Sequence, residues 1–185
     1  MFRKRFGAGM DRMPDFAFKM MSLMFKFRDR FFPQDRVLDE FGIQDGQVVV
    51  DYGCGPGSYI GRASKLVGAK GKVFAVDIHE LAIDAINKKI AKENLNNVSG
   101  VVAKNGKCPL DNDTANLVFA LDMFHMVSDS TLFLKGLNRI IKPDGVLFID
   151  NGHQPRKQAK TKILASVAWD IVEENDRYMK CKPTK

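Results

Sequence analysis

The chain has 185 residues, 45% hydrophobic and 28% charged, with a formal charge of +7, enough to bury one substantial core but short for two, so one domain is expected. Its three cysteines, Cys54, Cys108 and Cys181, are far apart and form no C-x-x-C pair, which speaks against a disulfide framework or a zinc site and fits a reducing, cytoplasmic setting. No stretch is long and apolar enough to span a membrane.

The positive charge sits at the two ends. Residues 1–36 hold nine basic and four acidic side chains, residues 155–185 eight and four, and the middle twelve and fourteen. Such ends suit RNA or an anionic membrane surface, although solvated Lys and Arg on terminal helices account for them without a ligand.

Residues 1–13, basic and glycine-containing, are expected to be poorly ordered. Phe2-Arg3-Lys4-Arg5 ahead of Phe16 to Phe27 imitates a secretory leader, but Lys19 and Lys26 break the apolar run and no small-residue cleavage site follows. From Pro14 to Phe32 the pattern is helical, with Asp15, Lys19, Ser22, Lys26 and Asp29 on one stripe and Phe16, Met20, Leu23, Met24, Phe27 and Phe31 on another. Phe18, Met21 and Phe25 widen the apolar face. Two readings stay open for it: packing against the rest of the domain, or a Met-rich lid over a greasy ligand. Pro33 to Phe41 reads as a second short helix with Gly42 as its C-cap residue.

Beyond Gly42, strands and helices alternate. Strands are expected at 47–52, 72–77, 98–103, 116–121 and 146–150, and helices at 57–67, 80–93, 129–141 and 155–166, the pattern of a parallel sheet covered by helices. The end differs: 169–173 and 177–181 are two short runs around Glu174-Asn175-Asp176, too close for a crossover helix, and so form an antiparallel hairpin.

The organising stretch is Val48-Val49-Val50-Asp51-Tyr52-Gly53-Cys54-Gly55-Pro56-Gly57-Ser58, a buried strand running into a glycine-rich turn and then a helix. Backbone N–H groups at such a helix start favour an anionic ligand group. The dinucleotide fingerprint, however, needs a glycine three residues after Gly55, where Ser58 stands, so the NAD reading fails by one residue. Asp51 argues the same way, because a carboxylate ending the strand repels a pyrophosphate and suits a ligand carrying an ammonium.

This stretch resembles motif I of the class I S-adenosylmethionine-dependent methyltransferases. It is accompanied by a strand ending in an acid, Val73-Phe74-Ala75-Val76-Asp77, and by Ile141-Lys142-Pro143-Asp144-Gly145-Val146-Leu147-Phe148. The resemblance covers about Gly42 to the C-terminus and is of the small-molecule type, similar to the menaquinone and ubiquinone biosynthesis methyltransferases. It implies an α/β, Rossmann-like, doubly wound seven-stranded sheet in the order 3-2-1-4-5-7-6, with an S-adenosylmethionine-binding domain at 42–185. Residues 1–41 would be an N-terminal helical extension, used by many relatives as a lid.

From the same resemblance, Gly53, Cys54, Gly55 and Gly57 are expected to shape the loop around the methionine part of the cofactor, with Asp51 near its amino group. Asp77 would accept the ribose hydroxyls unless it is a helix cap, and Ile78 would pack on the adenine. The acid that relatives place after strand 3 is here Lys104, in Ala103-Lys104-Asn105-Gly106, so Asn105 or backbone groups would substitute. Leu121 corresponds to a contact with the methionine arm. Past it, His125 is the candidate general base and His153 the runner-up, each readable also as an ordinary hydrogen-bonded residue. Asp150-Asn151 also resembles the metal-dependent catechol methyltransferases, but Asp122 is one residue out of register with their pattern, so no metal is expected. The implied reaction is methyl transfer to a small, apolar or aromatic acceptor. The alternatives are RNA or protein methylation and noncatalytic cofactor binding; the sequence at Leu121-Asp122-Met123-Phe124 lacks the Asn-Pro-Pro-Tyr-like motif of base methylation.

Overall fold

The computed structural model describes residues 12–104 and 107–185. Its sheet has seven strands in the expected order, β3-β2-β1-β4-β5-β7-β6, made of β1 Val48–Tyr52, β2 Lys72–Asp77, β3 Val98–Val102, β4 Ala115–Ala120, β5 Ile141–Ile149, β6 Trp169–Glu174 and β7 Met179–Pro183. Two compact units can be distinguished, Arg12–Val102 and Ala103–Lys185. Among the described residues no helix is long and apolar enough to cross a membrane.

In the first unit β1, β2 and β3 run parallel, with Val50 beside Phe74 and Phe74 beside Ser99. Val49, Val50, Val73, Ala75 and Val76 are fully buried, so the β-branched runs act as strands covered on both faces. Helix α2, Ile60–Val67, buries Ile60, Ala63 and Val67 at helical spacing. Its end is sealed by Asn97, whose side-chain amide donates to Ser64 O and Gly68 O at 2.9 and 2.8 Å while its Oδ1 accepts from Ser64 Oγ at 2.6 Å, satisfying carbonyls that the helix leaves free. Helix α3, Glu80–Glu93, ends on Asn94 in the left-handed region, φ 52°.

The N-terminal helix α1, Asp15–Phe31, matches the expected span within one residue at each end, but its faces are used differently. Phe18 is buried at 5% exposure, and Met21, Ser22, Phe25, Arg28 and Asp29 are half-buried on the same side. The stripe Phe16, Met20, Leu23, Met24, Phe27 and Phe31 is exposed. Periodicity read one apolar stripe widened by Phe18, Met21 and Phe25, and it is these widening residues that face inward. The expected second helix is a 3-10 turn, Asp35–Glu40. Its buried residue, Leu38, lies three before the buried C-cap residue Phe41, which is the period of a 3-10 helix. Gly42, at φ 67°, follows it as the expected left-handed terminus. Residues 1–11 of the proposed extension lie outside the described residues.

In the second unit β4 and β5 run parallel, while β7 pairs antiparallel with both β5 and β6. Helices α4, Ser130–Ile140, and α5, Arg156–Ala165, accompany them. Phe119, Phe148, Leu134, Leu137, Ile140 and Trp169 form the core, and the Trp169 indole N–H donates to Leu134 O at 2.9 Å. Strand β5 begins at Ile141, earlier than expected, because Ile141 pairs with Ala115 before the register shifts at Leu117 and Val146; Pro143, which has no N–H to donate, falls in the irregular step. In the hairpin, β7 starts two residues later than expected. Asn175 Oδ1 accepts from the N–H groups of Arg177 and Tyr178 at 2.9 and 3.0 Å, holding those residues in the turn.

Candidate active site

After Asp51 and Tyr52 the backbone of the first unit turns through Gly53, Gly55 and Gly57 at φ 81°, 49° and 88°, a region that side chains oppose. These glycines do different work. A Cβ on Gly57 would meet Ile86 Cδ1 at 2.7 Å, so this glycine lets the loop sit on α3, whereas the space beside Gly55 is open to 4 Å. The loop is tightly held. Gly53 and Cys54 N–H donate to Val76 O at 2.8 and 3.1 Å, Lys89 Nζ donates to Gly57 O at 2.8 Å, and Arg28 of α1 reaches Ser58 Oγ at 3.4 Å.

Asp77, at the end of β2, ties this loop to α3. Its Oδ2 accepts from Gly55 N–H at 2.9 Å and its Oδ1 from His79 N–H at 2.8 Å. Burial pushes its pKa up and the two backbone N–H groups pull it back. Each oxygen keeps a second lone pair, so a diol can be received without dismantling the loop. The cap of α3 is His79, whose Nδ1 accepts from Leu81 N–H at 3.2 Å. His79 went unnoticed in the sequence. It is 3% exposed, stacks on Phe18 with ring centroids 4.3 Å apart, and has Nε2 3.5 Å from Asp15 Oδ1. Burial and then Arg12 lower its pKa. Ile78, between them, is half-buried.

Asp51 is 2% exposed, and its Oδ2 has no hydrogen-bond partner. Burial raises its pKa well above the usual carboxylate range, Asp77 adds to the shift, and Lys89 offsets part of it. A buried acceptor without a donor is costly. A ligand bringing an ammonium would relieve it; a pyrophosphate would aggravate it. The loop therefore fits S-adenosylmethionine on its own chemistry. Cys54, buried in the same turn, has its thiol pKa raised by burial and then by Asp77 and Asp51.

In the second unit Leu121 follows β4 at 8% exposure. Lys104 is exposed and pairs through its backbone with Lys107; Asn105, named above for the adenine, lies outside the described residues. A polar cluster gathers around Asp150. Its Oδ2 accepts from Asp122 N–H at 2.9 Å and its Oδ1 from Gly152 N–H at 3.0 Å, which holds Asp122 at φ 59°. Gly152, at φ 52°, makes room for a histidine, since a Cβ there would lie 2.2 Å from His125 Nδ1. The His125 and His153 rings meet edge to face with centroids 4.7 Å apart, and His153 Nε2 is 3.7 Å from Asp122 Oδ1. His125 Nδ1 is buried without a partner. Burial, His153 and Lys162 lower the pKa of His125 against the pull of Asp122, which favours the neutral ring. No cluster of metal-ligating side chains is found among the described residues.

Asp150 gives a pH signature. Burial first, with Asp122 adding, raises its pKa from 3.8 to about 6. A carboxyl that is harder to ionise folded than unfolded holds more protons in the native state, so stability falls as pH rises from about 4 to 6 and is level above. The expected loss from this group, discounted for its partial exposure, is about 1–2 kcal/mol. Urea denaturation of Asp150→Asn and the parent at pH 4.5 and 7 should show the parent losing more; parallel curves would refute the shift.

With the geometry in view, known proteins can be compared. A sequence profile of the methyltransferase-domain family matches residues 43–183. The solved structure of a SAM-dependent methyltransferase from Aquifex aeolicus superposes with TM-score 0.76 at 28% identity, covering 92% of this chain and 97% of that one. The ubiquinone/menaquinone biosynthesis C-methyltransferase UbiE of Shewanella sp. (strain W3-18-1) is 25% identical over 156 residues, 84% of this chain and 62% of its own length. The demethylmenaquinone methyltransferase of Staphylococcus aureus (strain MRSA252) is 28% identical over 120 residues, 65% of this chain and 49% of its own. The chain thus spans about half to three fifths of the length of these curated relatives. It belongs to the methyltransferase-domain family, in the class that depends on S-adenosylmethionine.

Proposed function

We propose that the chain methylates a small, largely apolar or aromatic acceptor, a class that takes in the quinones named for its curated relatives. The observation that carries the cofactor half is the buried, unpartnered Asp51 carboxylate oxygen behind an open glycine turn. The cofactor, when bound, supplies a methyl group on a sulfonium, ready for in-line displacement. Asp51 receives the ammonium, Asp77 accepts the ribose hydroxyls on its remaining lone pairs, and Ile78 offers an apolar side to the adenine. Helix α1 covers the loop through Phe18 on His79 and Arg28 on Ser58, excluding water as a lid does. Proton removal from the acceptor falls to the His125–His153 pair, whose inner ring is biased towards the neutral form.

Calorimetric titration with S-adenosylmethionine and with NAD tests the first half; tight NAD binding with none for adenosylmethionine would sink it. Labelled cofactor offered with small phenols and quinones, and separately with bulk RNA, tests the second. Methyl incorporation into RNA alone would overturn the small-molecule reading. Asp77→Ala should weaken cofactor binding by about 1–3 kcal/mol, the cost of polar ligand groups left unpaired, and leave the fold intact. An unchanged dissociation constant would reduce Asp77 to a brace for the turn.

A further inference from the structure

Helix α1 has a second face that its contacts with the glycine loop leave unused. Seven of the eleven large apolar side chains exposed among the described residues lie between Phe16 and Phe32; the other four, Leu132, Leu164, Val167 and Val172, are scattered. Phe16, Met20, Leu23, Met24, Phe27 and Phe31 recur at i, i+4, i+7, i+8, i+11 and i+15, so they fall within about 100° of the helix circumference and run its whole length, about 25 Å at 1.5 Å per residue. Phe16 and Phe27 are 76% and 70% exposed, and the Phe27 and Phe31 rings touch with centroids 4.9 Å apart. A continuous stripe of this kind differs from isolated surface hydrophobics and marks a contact surface.

The border of the stripe is cationic. Lys19, Lys26 and Arg30 follow one edge and line a groove of about 870 Å³ whose opposite wall carries Lys88, Lys89 and Lys92 of α3; Asp29, Asp84 and Glu93 offset only half of these six charges. Arg3, Lys4 and Arg5 precede the helix in the sequence. An apolar face of Phe, Met and Leu edged by long basic side chains is the construction of a helix that lies in the plane of a bilayer, its hydrophobes among the acyl chains and its lysines at the phosphates. RNA would meet six apolar side chains where it needs charge. Nothing polar stands within the stripe to orient a protein partner.

We propose that α1 docks the protein on an anionic membrane surface through Phe16, Met20, Leu23, Met24, Phe27 and Phe31, with the Lys19, Lys26 and Arg30 edge against lipid phosphates. The inner face of α1, Phe18 and Arg28, is not needed for this and stays on the loop.

Co-sedimentation of the full chain with vesicles of 3:1 phosphatidylcholine and phosphatidylglycerol tests the proposal. Binding should be at least tenfold stronger than to pure phosphatidylcholine and should weaken with added salt. It should fall at least tenfold in the triple variant Phe16→Ser, Phe27→Ser, Phe31→Ser and in Lys19→Glu, Lys26→Glu, Arg30→Glu, with circular dichroism and cofactor titration unchanged. In Leu23→Trp the new indole should shift to the blue on adding these vesicles, against a constant background from the single native tryptophan, Trp169, which is 2% exposed. Absence of vesicle binding, equal binding to both vesicles, or binding that survives the phenylalanine substitutions would overturn the proposal. So would vesicle-independent self-association abolished by those substitutions, which would make the stripe a contact between two copies, or tighter binding to RNA than to vesicles.

Discussion

Asp51→Asn should bind S-adenosylmethionine 10- to 100-fold more weakly and yet melt at a higher temperature than the parent. The two effects have one origin. In the free protein Asp51 is a buried acid whose Oδ2 has no partner and whose ionisation burial and Asp77 oppose. Replacing it with a neutral side chain of the same shape removes that penalty, which is worth about 1–2 kcal/mol, or about 3–6 °C for a chain of this size. The same replacement discards the charge proposed to meet the ammonium, and a hydrogen bond to an ion contributes about 1.5–3 kcal/mol. The parent should also bind the cofactor more tightly as pH rises, because the raised carboxyl gives up its proton on meeting a cation. Thermal melting and calorimetry in two buffers of different ionisation heat would show both. A variant that melts lower and binds equally well would make Asp51 a structural acid and remove the main support for the cofactor assignment.

Gly152→Ala should cost about 2–3 kcal/mol, seen as a fall in melting temperature of about 4–10 °C. Part is the left-handed backbone at φ 52°, where an alanine is strained by about 1 kcal/mol. The rest is steric, since the new methyl would stand 2.2 Å from His125 Nδ1 and must displace the ring. A double-mutant cycle separates the two: with His125→Ala as the background the cost should fall to the backbone share alone, about 1 kcal/mol. If the histidine pair removes the acceptor's proton, Gly152→Ala should also slow turnover without weakening cofactor binding. Equal destabilisation in both backgrounds would deny the crowding.

The glycine turn and the strand-ending acids were legible in the sequence because each is a local pattern with one physical meaning, whereas the strand order came with the family resemblance that those patterns carry. Three β-branched residues before Gly-x-Gly-x-Gly leave little choice of structure, and Asp77 declares itself by standing where β2 stops. What stayed hidden depended on contacts between distant residues. His79 as the cap of α3 and its stacking on Phe18 require α1 to be in place, and no spacing along the chain reveals that. The crowding at Gly152 was hidden because His125, 27 positions earlier, occupies the space of its missing side chain. In helix α1 periodicity detected an apolar stripe and the residues that widen it without saying which side turns inward. The 3-10 turn at Asp35–Glu40 was too short for its period to be read in advance.

On the proposed function Cys54 would share its turn with an alkylating agent, a sulfonium whose methyl group any good nucleophile would take. Sulfur is such a nucleophile only as thiolate, and here burial and two neighbouring acids hold it in the protonated form. On that reading burial and the two carboxylates would together have an effect beside recognition: they would keep the loop from methylating itself, so that the donor survives until an acceptor arrives.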